Sequence, residues 1–317
     1  MMDLNQTLRV WLSAYHEALA QLAESGVVPS PDAVRDGLAA LTSTFVTDAP
    51  DVAVLNASVA SQEEKSEQIP VRIYHPAPES ALPVIVFLHG GGHMAGSVAV
   101  YDRICRKLAA STQHLVVSVD YRLAPEHPYP AGLTDARQVI MQLWPLLDRY
   151  HLRYSPMLSL VGDSAGGAMT ATLSAEFQQN SDITIANQVL IYPSLDYTMS
   201  QPSVVENGQG LFLQREKMRW YFDHYFRHEE DRQAASPLWM PMTSRMPRTL
   251  VITAQYCPLR DEGMAYVQKL LAVGVKAQHF HLDDMIHAYL NLENMVPEQC
   301  AATYRQIAVF LNGPNVQ

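Results

Sequence analysis

Apolar runs alternate with amphipathic stretches over most of the chain, and this alternation predicts an α/β fold. Candidate strands lie at 84–88, 115–121, 157–161, 188–192, 249–254 and 277–282. Most of them are mainly apolar, which is typical of strands buried on both faces of a parallel sheet. Stretches with helical spacing separate them, at 101–110, 133–150, 165–178, 263–273 and 297–311. The pattern predicts a mostly parallel central sheet that helices cover on both faces.

The amino-terminal part of the chain precedes this alternation and has a pattern of its own. Apolar residues recur every three or four positions over residues 4–22, which predicts an amphipathic helix. Ser30 and Pro31 supply the N-cap and the first-position proline of a second helix. These helices could pack as an ordinary flank of the sheet or form a roof over a site. Two candidate strands and a charged turn between them follow, at 52–59, 71–76 and 61–67.

One long segment interrupts the alternation. Residues 194–247 lie between two predicted strands, hold no predicted strand and carry a run rich in Trp, Tyr and Phe at 213–227. An insertion of this length beyond the carboxyl edge of a parallel sheet is a common position for a cap over a binding site. We therefore predict a helical cap formed by residues 1–45 and by an insertion at about 195–235, within a catalytic domain of residues 46–317.

Composition and charge limit the classes of protein to which the chain can belong. The 317 residues, 48% hydrophobic and 17% charged, fit a globular protein with a large core. A formal net charge of −10 makes nucleic acid and anionic membrane surfaces poor partners. Cys105, Cys257 and Cys300 lie far apart without metal-ligand spacing, which favours a reducing compartment over a disulfide framework. Because the sequence shows neither a signal-peptide core nor an apolar run that could span a bilayer, we expect a cytoplasmic protein without a membrane span.

A Gly-x-Ser-x-Gly pattern joins a predicted buried strand to the helix that follows it. In such a nucleophile elbow the turn is so sharp that the residues flanking the serine must lack bulk, which Gly162 and Gly166 satisfy. The elbow lifts the Ser164 hydroxyl above the sheet edge and points the Ala165 amide at the same place. A chain of this length meets the pattern by chance about one time in ten, so its meaning depends on partner residues.

A second motif supplies such partners. His89, Gly90, Gly91 and Gly92 follow directly on the predicted strand at 84–88. Three consecutive glycines leave backbone N–H groups uncovered, so a small oxygen anion can approach them within hydrogen-bonding distance. This form of oxyanion loop accompanies the nucleophile elbow in lipases and esterases. We interpret His89 as a residue that orients the loop rather than as a general base.

Five motifs together resemble the hormone-sensitive-lipase family of α/β-hydrolases, the bacterial family IV carboxylesterases. They are HGGG at 89–92, DYRLAPEHPYPA at 120–131, GDSAGG at 162–167, ASPL at 235–238 and PLRDEG at 258–263. The resemblance extends from about residue 71 to the carboxyl terminus, and the amino-terminal helices fit the cap of this family. It implies an α/β-hydrolase fold with a helical cap.

The resemblance also implies an activity and part of a site. Members of this family hydrolyse small-molecule carboxylic esters with short to medium acyl chains and use neither a cofactor nor a metal. Their oxyanion donors are the second and third glycines of the loop and the residue after the serine, which correspond here to Gly91, Gly92 and Ala165. The family also suggests a homodimer that forms through the last strand or helix.

The general base is expected after the last strand, because hydrolases of this fold carry serine, acid and histidine in that chain order. The candidates are His279, His281 and His287. His279 and His281 fall within the strand predicted at 277–282, whereas His287 lies beyond its carboxyl end and resembles the His-Gly-Phe position of the family. We predict that His287 takes the Ser164 proton during acylation and returns a proton to the leaving alcohol.

The acid position departs from the family pattern, because Cys257 stands where the resemblance implies an aspartate. A thiol is a weak hydrogen-bond acceptor. In an apolar site its pKa rises, so that a thiolate does not replace the missing carboxylate. Loss of the orienting acid lowers turnover by on the order of 10⁴-fold in the serine-protease template, about 5.5 kcal/mol.

Three interpretations of this departure compete. Asp261 or Glu262 could take the place of the acid, although both are also typical residues of the first turn of a helix. Cys257 could be oxidised to a sulfinate that mimics a carboxylate. We favour the third interpretation, a weakened serine carboxylesterase that keeps partial activity through Ser164, His287 and the oxyanion loop. A different class stays open, a non-catalytic member of the fold that binds a ligand without turnover.

Overall fold

The computed structural model describes residues 3–26, 28–61 and 68–313, so the turn expected at 61–67 lies, apart from Ser61, outside the described residues. Within these residues eight strands form one sheet in the order β1-β2-β4-β3-β5-β6-β7-β8. The strands are β1 (Ala53–Ala60), β2 (Gln68–His75), β3 (Leu82–Leu88), β4 (Leu115–Val119), β5 (Tyr154–Asp163), β6 (Ile185–Ile191), β7 (Arg248–Tyr256) and β8 (Ala277–Ile286).

The sheet is mostly parallel, as the apolar runs predict. Only the pairings of β2 with β1 and with β4 are antiparallel, and the five pairings from β4 to β8 are parallel. Strands β3 and β4 are buried along nearly their whole length because helices pack on both faces of the sheet. The fold is therefore the predicted α/β-hydrolase fold, with β8 at one edge of the sheet.

The helices cover both faces of the sheet, and clusters of buried hydrophobic residues lie between the helices and the sheet. The helices are α1 (Gln6–Glu24), α2 (Pro31–Phe45), α3 (Asp102–Thr112), α4 (Ala131–Met141), α5 (Leu143–Arg149), α6 (Ala165–Phe177), α7 (Ser203–Glu206), α8 (Arg215–Tyr225), α9 (Arg232–Ala235), α10 (Arg260–Ala272) and α11 (Pro297–Asn312), with 3₁₀ turns at Pro237–Trp239 and Tyr289–Met295. Helix α6, rich in small residues, is buried over almost its whole length against β5 and β6. Over the described ranges, none of the helices has the length and hydropathy that crossing a bilayer requires.

The stretch predicted to be helical at 133–150 is helical but interrupted. Two helices, α4 and α5, occupy this stretch, and Gln142 between them leaves helical geometry with φ −104° and ψ 11°. Pro145 explains the break, because it has no N–H to donate and its ring clashes with the carbonyl of the preceding turn. The helix can restart at Leu143 because proline is tolerated within a first turn.

The two segments predicted to form the cap are in contact. Trp11 and Tyr15 of α1 lie against Phe212 of the insertion, with ring centroids 5.6 and 5.5 Å apart. Residues 194–247, all of which are described, contain helices and loops but no strand, as expected. The division into a cap of residues 1–45 and about 195–235 and a catalytic domain of residues 46–317 stays a prediction.

Candidate active site

Ser164 occupies a sharp turn between β5 and α6. Its φ of 53° and ψ of −118° lie in a region that non-glycine residues rarely adopt. A Cβ atom at Gly162 would stand 2.3 Å from the carbonyl oxygen of Gly166, and one at Gly166 would stand 2.0 Å from that of Leu88. Glycine is therefore required on both sides of the serine, for the steric reason that the elbow pattern implies.

His287 follows directly on β8 and reaches the serine. The distance from Ser164 Oγ to His287 Nε2 is 2.9 Å. The imidazole is buried, and burial together with the positive charge of Lys217 lowers its pKa to about 3. It is therefore neutral at neutral pH, the state in which it can accept a proton.

The other two candidate histidines have a different environment. His279 Nε2 and His281 Nδ1 lie 2.6 and 2.7 Å from Oγ1 of Thr253, across the pairing of β7 with β8. Burial lowers the pKa of both rings. Of the three histidines, the one beyond the end of the strand is thus the one that contacts Ser164.

Cys257 lies on the far side of the imidazole, at the position predicted for the acid. Its Sγ atom is 3.2 Å from His287 Nδ1 and accepts a hydrogen bond from the Leu259 amide at 3.4 Å. The side chain is 1% exposed, and burial raises the pKa of the thiol above its ordinary value. A neutral thiol can either donate or accept, so it neither fixes the Nδ1–H tautomer of the imidazole nor stabilises an imidazolium.

The two carboxylates that could have replaced the acid bind elsewhere. Asp261 Oδ2 accepts the Ser203 amide at 2.9 Å, and Glu262 Oε2 accepts the Leu195 amide at 3.1 Å. Both residues lie in the first turn of α10, as expected from the sequence. Neither forms a hydrogen bond with His287, which leaves Cys257 as its neighbour at Nδ1.

The oxyanion loop has a backbone conformation that suits glycine. Gly91 and Gly92 have φ values of 122° and 65°. A Cβ at Gly91 would stand 2.1 Å from the carbonyl oxygen of Ala95, and one at Gly92 would stand 2.7 Å from the ring of Tyr221. Ala165 is the first residue of α6, so its amide has no partner within the helix.

Asp163 supports this loop, which the sequence analysis did not foresee. Its Oδ1 atom accepts the Gly90 amide at 2.7 Å, and the Tyr101 and Tyr192 hydroxyls donate to Oδ2 at 3.1 and 3.5 Å. Burial raises the pKa of this carboxyl to about 7. A charged residue at the end of a buried strand requires such donors, and its place in the Gly-Asp-Ser motif was a usable signal.

Arg35 of α2 is a second contributor that the sequence did not reveal. Its Nε donates to the Met94 carbonyl at 2.9 Å and its Nη2 to the Ala124 carbonyl at 3.0 Å, while the guanidinium also pairs with Glu126. Met94 follows the oxyanion loop by two residues, so Arg35 connects the amino-terminal helices to that loop. These three partners lie 59 to 91 residues away along the chain, and no local pattern predicts them.

Comparison with known proteins identifies the family to which the chain belongs. A profile described as the α/β hydrolase fold matches residues 85–291. The chain is 34% identical over 252 residues to carboxylesterase NlhH of Mycobacterium tuberculosis (76% of this chain, 77% of that protein) and 30% identical over 236 residues to an ethyl acetate hydrolase of Pseudomonas putida (73% and 74%). A solved hyperthermophilic esterase from the archaeon Pyrobaculum calidifontis is similar with a TM-score of 0.85 at 31% identity, over 97% of both chains. The chain therefore belongs to the hormone-sensitive-lipase-like carboxylesterases of the α/β-hydrolase superfamily and is a carboxylic ester hydrolase.

Proposed function

We propose that ester hydrolysis proceeds through a Ser164 acyl-enzyme, with His287 as general base and the amides of Gly91, Gly92 and Ala165 as oxyanion donors. The observation that carries this proposal is the 2.9 Å distance between Ser164 Oγ and His287 Nε2, made by a neutral imidazole. The strained serine backbone supports it, because such strain persists where a function requires the geometry.

The mechanism uses one proton acceptor twice. His287 Nε2 takes the hydroxyl proton as Ser164 Oγ attacks the ester carbonyl, and then gives that proton to the leaving alcohol. Water attacks the acyl-enzyme in the second half-reaction, with the imidazole again taking a proton. The acid product leaves when Ser164 recovers its hydrogen. Both tetrahedral intermediates place negative charge at the oxyanion donors, where preorganised amides stabilise it.

We further propose that turnover is weakened at Cys257. Each proton transfer to His287 creates an imidazolium in a buried site, and a buried cation without an anionic partner is costly. The neighbouring thiol supplies no charge, and its own pKa is raised, so it stays protonated. Its 1% exposure also argues against oxidation to a sulfinate, which requires access and thiolate character.

We propose short- to medium-chain acyl groups as the preferred substrates. The Tyr221 ring packs directly on Gly92, so little space stays above this part of the oxyanion loop. The Pseudomonas putida relative is named for ethyl acetate, a small ester. We also propose a cytoplasmic location and a homodimer that forms through the last strand or helix. The position of β8 at an edge of the sheet supports the dimer.

Hydrolysis of p-nitrophenyl acetate, butyrate and octanoate by the wild-type protein and by Ser164→Ala tests the proposal. We expect wild-type hydrolysis to be greatest for acetate or butyrate, and Ser164→Ala to fall to the uncatalysed background because the nucleophile is lost. Ser43→Ala, which alters an exposed serine of α2, is the matched control and should retain wild-type rates. Equal rates above the background for wild type and Ser164→Ala would contradict the acyl-enzyme. A wild-type rate no higher than the uncatalysed background would favour the alternative of a member that binds without turnover.

A further inference from the structure

Lys217 has an unusual environment for a lysine. It is partly buried, and its Nζ lies 5.7 Å from the ring centroid of Phe212 and 5.8 Å from that of Tyr221. In the part of the chain that the structure describes, no acidic side chain forms an ion pair with it, and desolvation lowers the pKa of its ammonium. A cation held partly out of water without an anion is destabilising.

The dipole of helix α8 does not offset the free-energy cost of desolvating the Lys217 ammonium. Lys217 is the third residue of α8, near the helix end that carries partial positive charge. A cation there is disfavoured, whereas it would be favoured near the carboxyl end. The two aromatic rings give a cation–π attraction, which at partly exposed sites amounts to about 0.5–1 kcal/mol. Packing alone therefore gives no reason for an ammonium at this position.

The ammonium lies near residues of the proposed site. The Tyr221 ring that it approaches is the ring that packs on Gly92 of the oxyanion loop. The charge of Lys217 is also close enough to His287 to lower the pKa of the imidazole. The unpaired cation is thus near both the oxyanion loop and the candidate general base.

We propose that Lys217 binds a carboxylate carried by the substrate, so that the preferred substrates are esters with an anionic group, such as half-esters of dicarboxylic acids. The inference rests on the proposed Ser164 mechanism and specifies its substrate class. A charge-assisted hydrogen bond to a carboxylate would give the ammonium the partner that the protein does not provide. It would also neutralise a charge that opposes protonation of His287, beside a thiol that cannot stabilise the imidazolium.

Matched pairs of esters that differ in charge test the inference and show which side of the ester carries the carboxylate. The acyl-side pair is monoethyl adipate and ethyl hexanoate, and the alcohol-side pair is 4-acetoxybenzoate and phenyl acetate. Acid release is titrated at constant pH to give kcat/KM for each ester. In wild type we expect the anionic member of at least one pair to have the higher kcat/KM.

Lys217→Met keeps the length of the side chain and removes its charge. We expect it to lower kcat/KM for the preferred anionic ester at least tenfold, a change of about 1.4 kcal/mol. Hydrolysis of the neutral partner should rise, because a charge that opposes the imidazolium is lost. Lys217→Arg should keep part of the preference. Lys276→Met removes the same charge from an exposed residue just before β8, at the opposite end of that strand from His287, and should leave all rates unchanged.

The outcomes separate this inference from the mechanism beneath it. If neutral esters are hydrolysed in a Ser164-dependent manner but Lys217→Met leaves the ratio of anionic to neutral rates unchanged in both pairs, the inference is overturned and the mechanism stands. A variant that loses activity equally on both members of each pair would indicate a structural role and would also overturn it. If no ester is hydrolysed in a Ser164-dependent manner, the mechanism and the inference fail together.

Discussion

The turn that carries Ser164 and the turn that carries Cys257 are built alike but differ in charge. Each follows a parallel strand and precedes a helix, and each brings a side chain to one nitrogen of His287, at 2.9 and 3.2 Å. The serine turn is supported by the buried carboxyl of Asp163, whereas the other turn presents a thiol. The two turns thus share hydrogen-bond geometry at His287 but differ in the charge that each supplies.

Burial affects the Ser164 side and the Cys257 side of His287 differently. On the serine side it raises the pKa of Asp163 to about 7, but the Gly90 amide and two tyrosine hydroxyls satisfy that carboxyl. On the other side it holds Cys257 neutral and lowers the pKa of His287, and no anion compensates. In the proposed mechanism, the serine side would therefore stabilise the oxyanion, while the Cys257 side would leave the imidazolium without an anionic partner.

The largest expected effect comes from placing a negative charge at position 257. We expect Cys257→Asp to raise kcat on p-nitrophenyl butyrate by at least about a hundredfold, roughly half of the template's loss on a logarithmic scale. The carboxylate would hold the Nδ1–H tautomer and stabilise the imidazolium. Cys257→Ser is the matched control, since a hydroxyl fits the turn without adding charge and should give little gain. An unchanged rate in Cys257→Asp would mean that another group already serves as the acid.

The pH dependence of kcat/KM in Cys257→Asp gives a second test of the comparison. The free wild-type enzyme needs neutral His287, whose pKa is about 3, so this residue causes no loss of kcat/KM until the pH approaches that value. In Cys257→Asp the new carboxylate favours the charged imidazole and raises its pKa, so the acidic limb should move upward. Asp163, with a pKa of about 7, titrates in both proteins, so Cys257→Ser is the reference. Superimposable profiles of kcat/KM between pH 4 and 9 would refute the assignment of His287 as base.

A smaller effect tests whether the two sides are independent. Arg35→Met removes hydrogen bonds to the Met94 and Ala124 carbonyls, so we expect a three- to tenfold lower kcat/KM, which corresponds to about 0.7–1.4 kcal/mol. Because the guanidinium acts on the oxyanion loop, the factor should be the same in wild type and in Cys257→Asp. Arg305→Met, at an exposed position of α11, is the control. Factors that differ between the two backgrounds would show that the sides are coupled.

The parts of the site that sequence could predict are those fixed by short-range constraints. Gly162 and Gly166 are required by the turn around Ser164, and the order of strands places His287 beyond the last of them. The break at Gln142 was also readable from Pro145, although the helical spacing concealed it. Long-range partners were not predictable in this way. Lys217 lies outside the five motifs, and its significance depends on rings and an imidazole that the fold brings to it.

The contact between Tyr221 and Gly92 constrains any attempt to remodel this enzyme. The aromatic ring lies where a side chain at position 92 would stand, so helix α8 is fitted to bare main chain. Replacing that helix with its counterpart from a relative would leave either a gap or a clash above the amides unless a flat ring is kept at position 221. A substitution in α8 that changes the residue at position 221 is therefore expected to change the packing on the glycine loop as well.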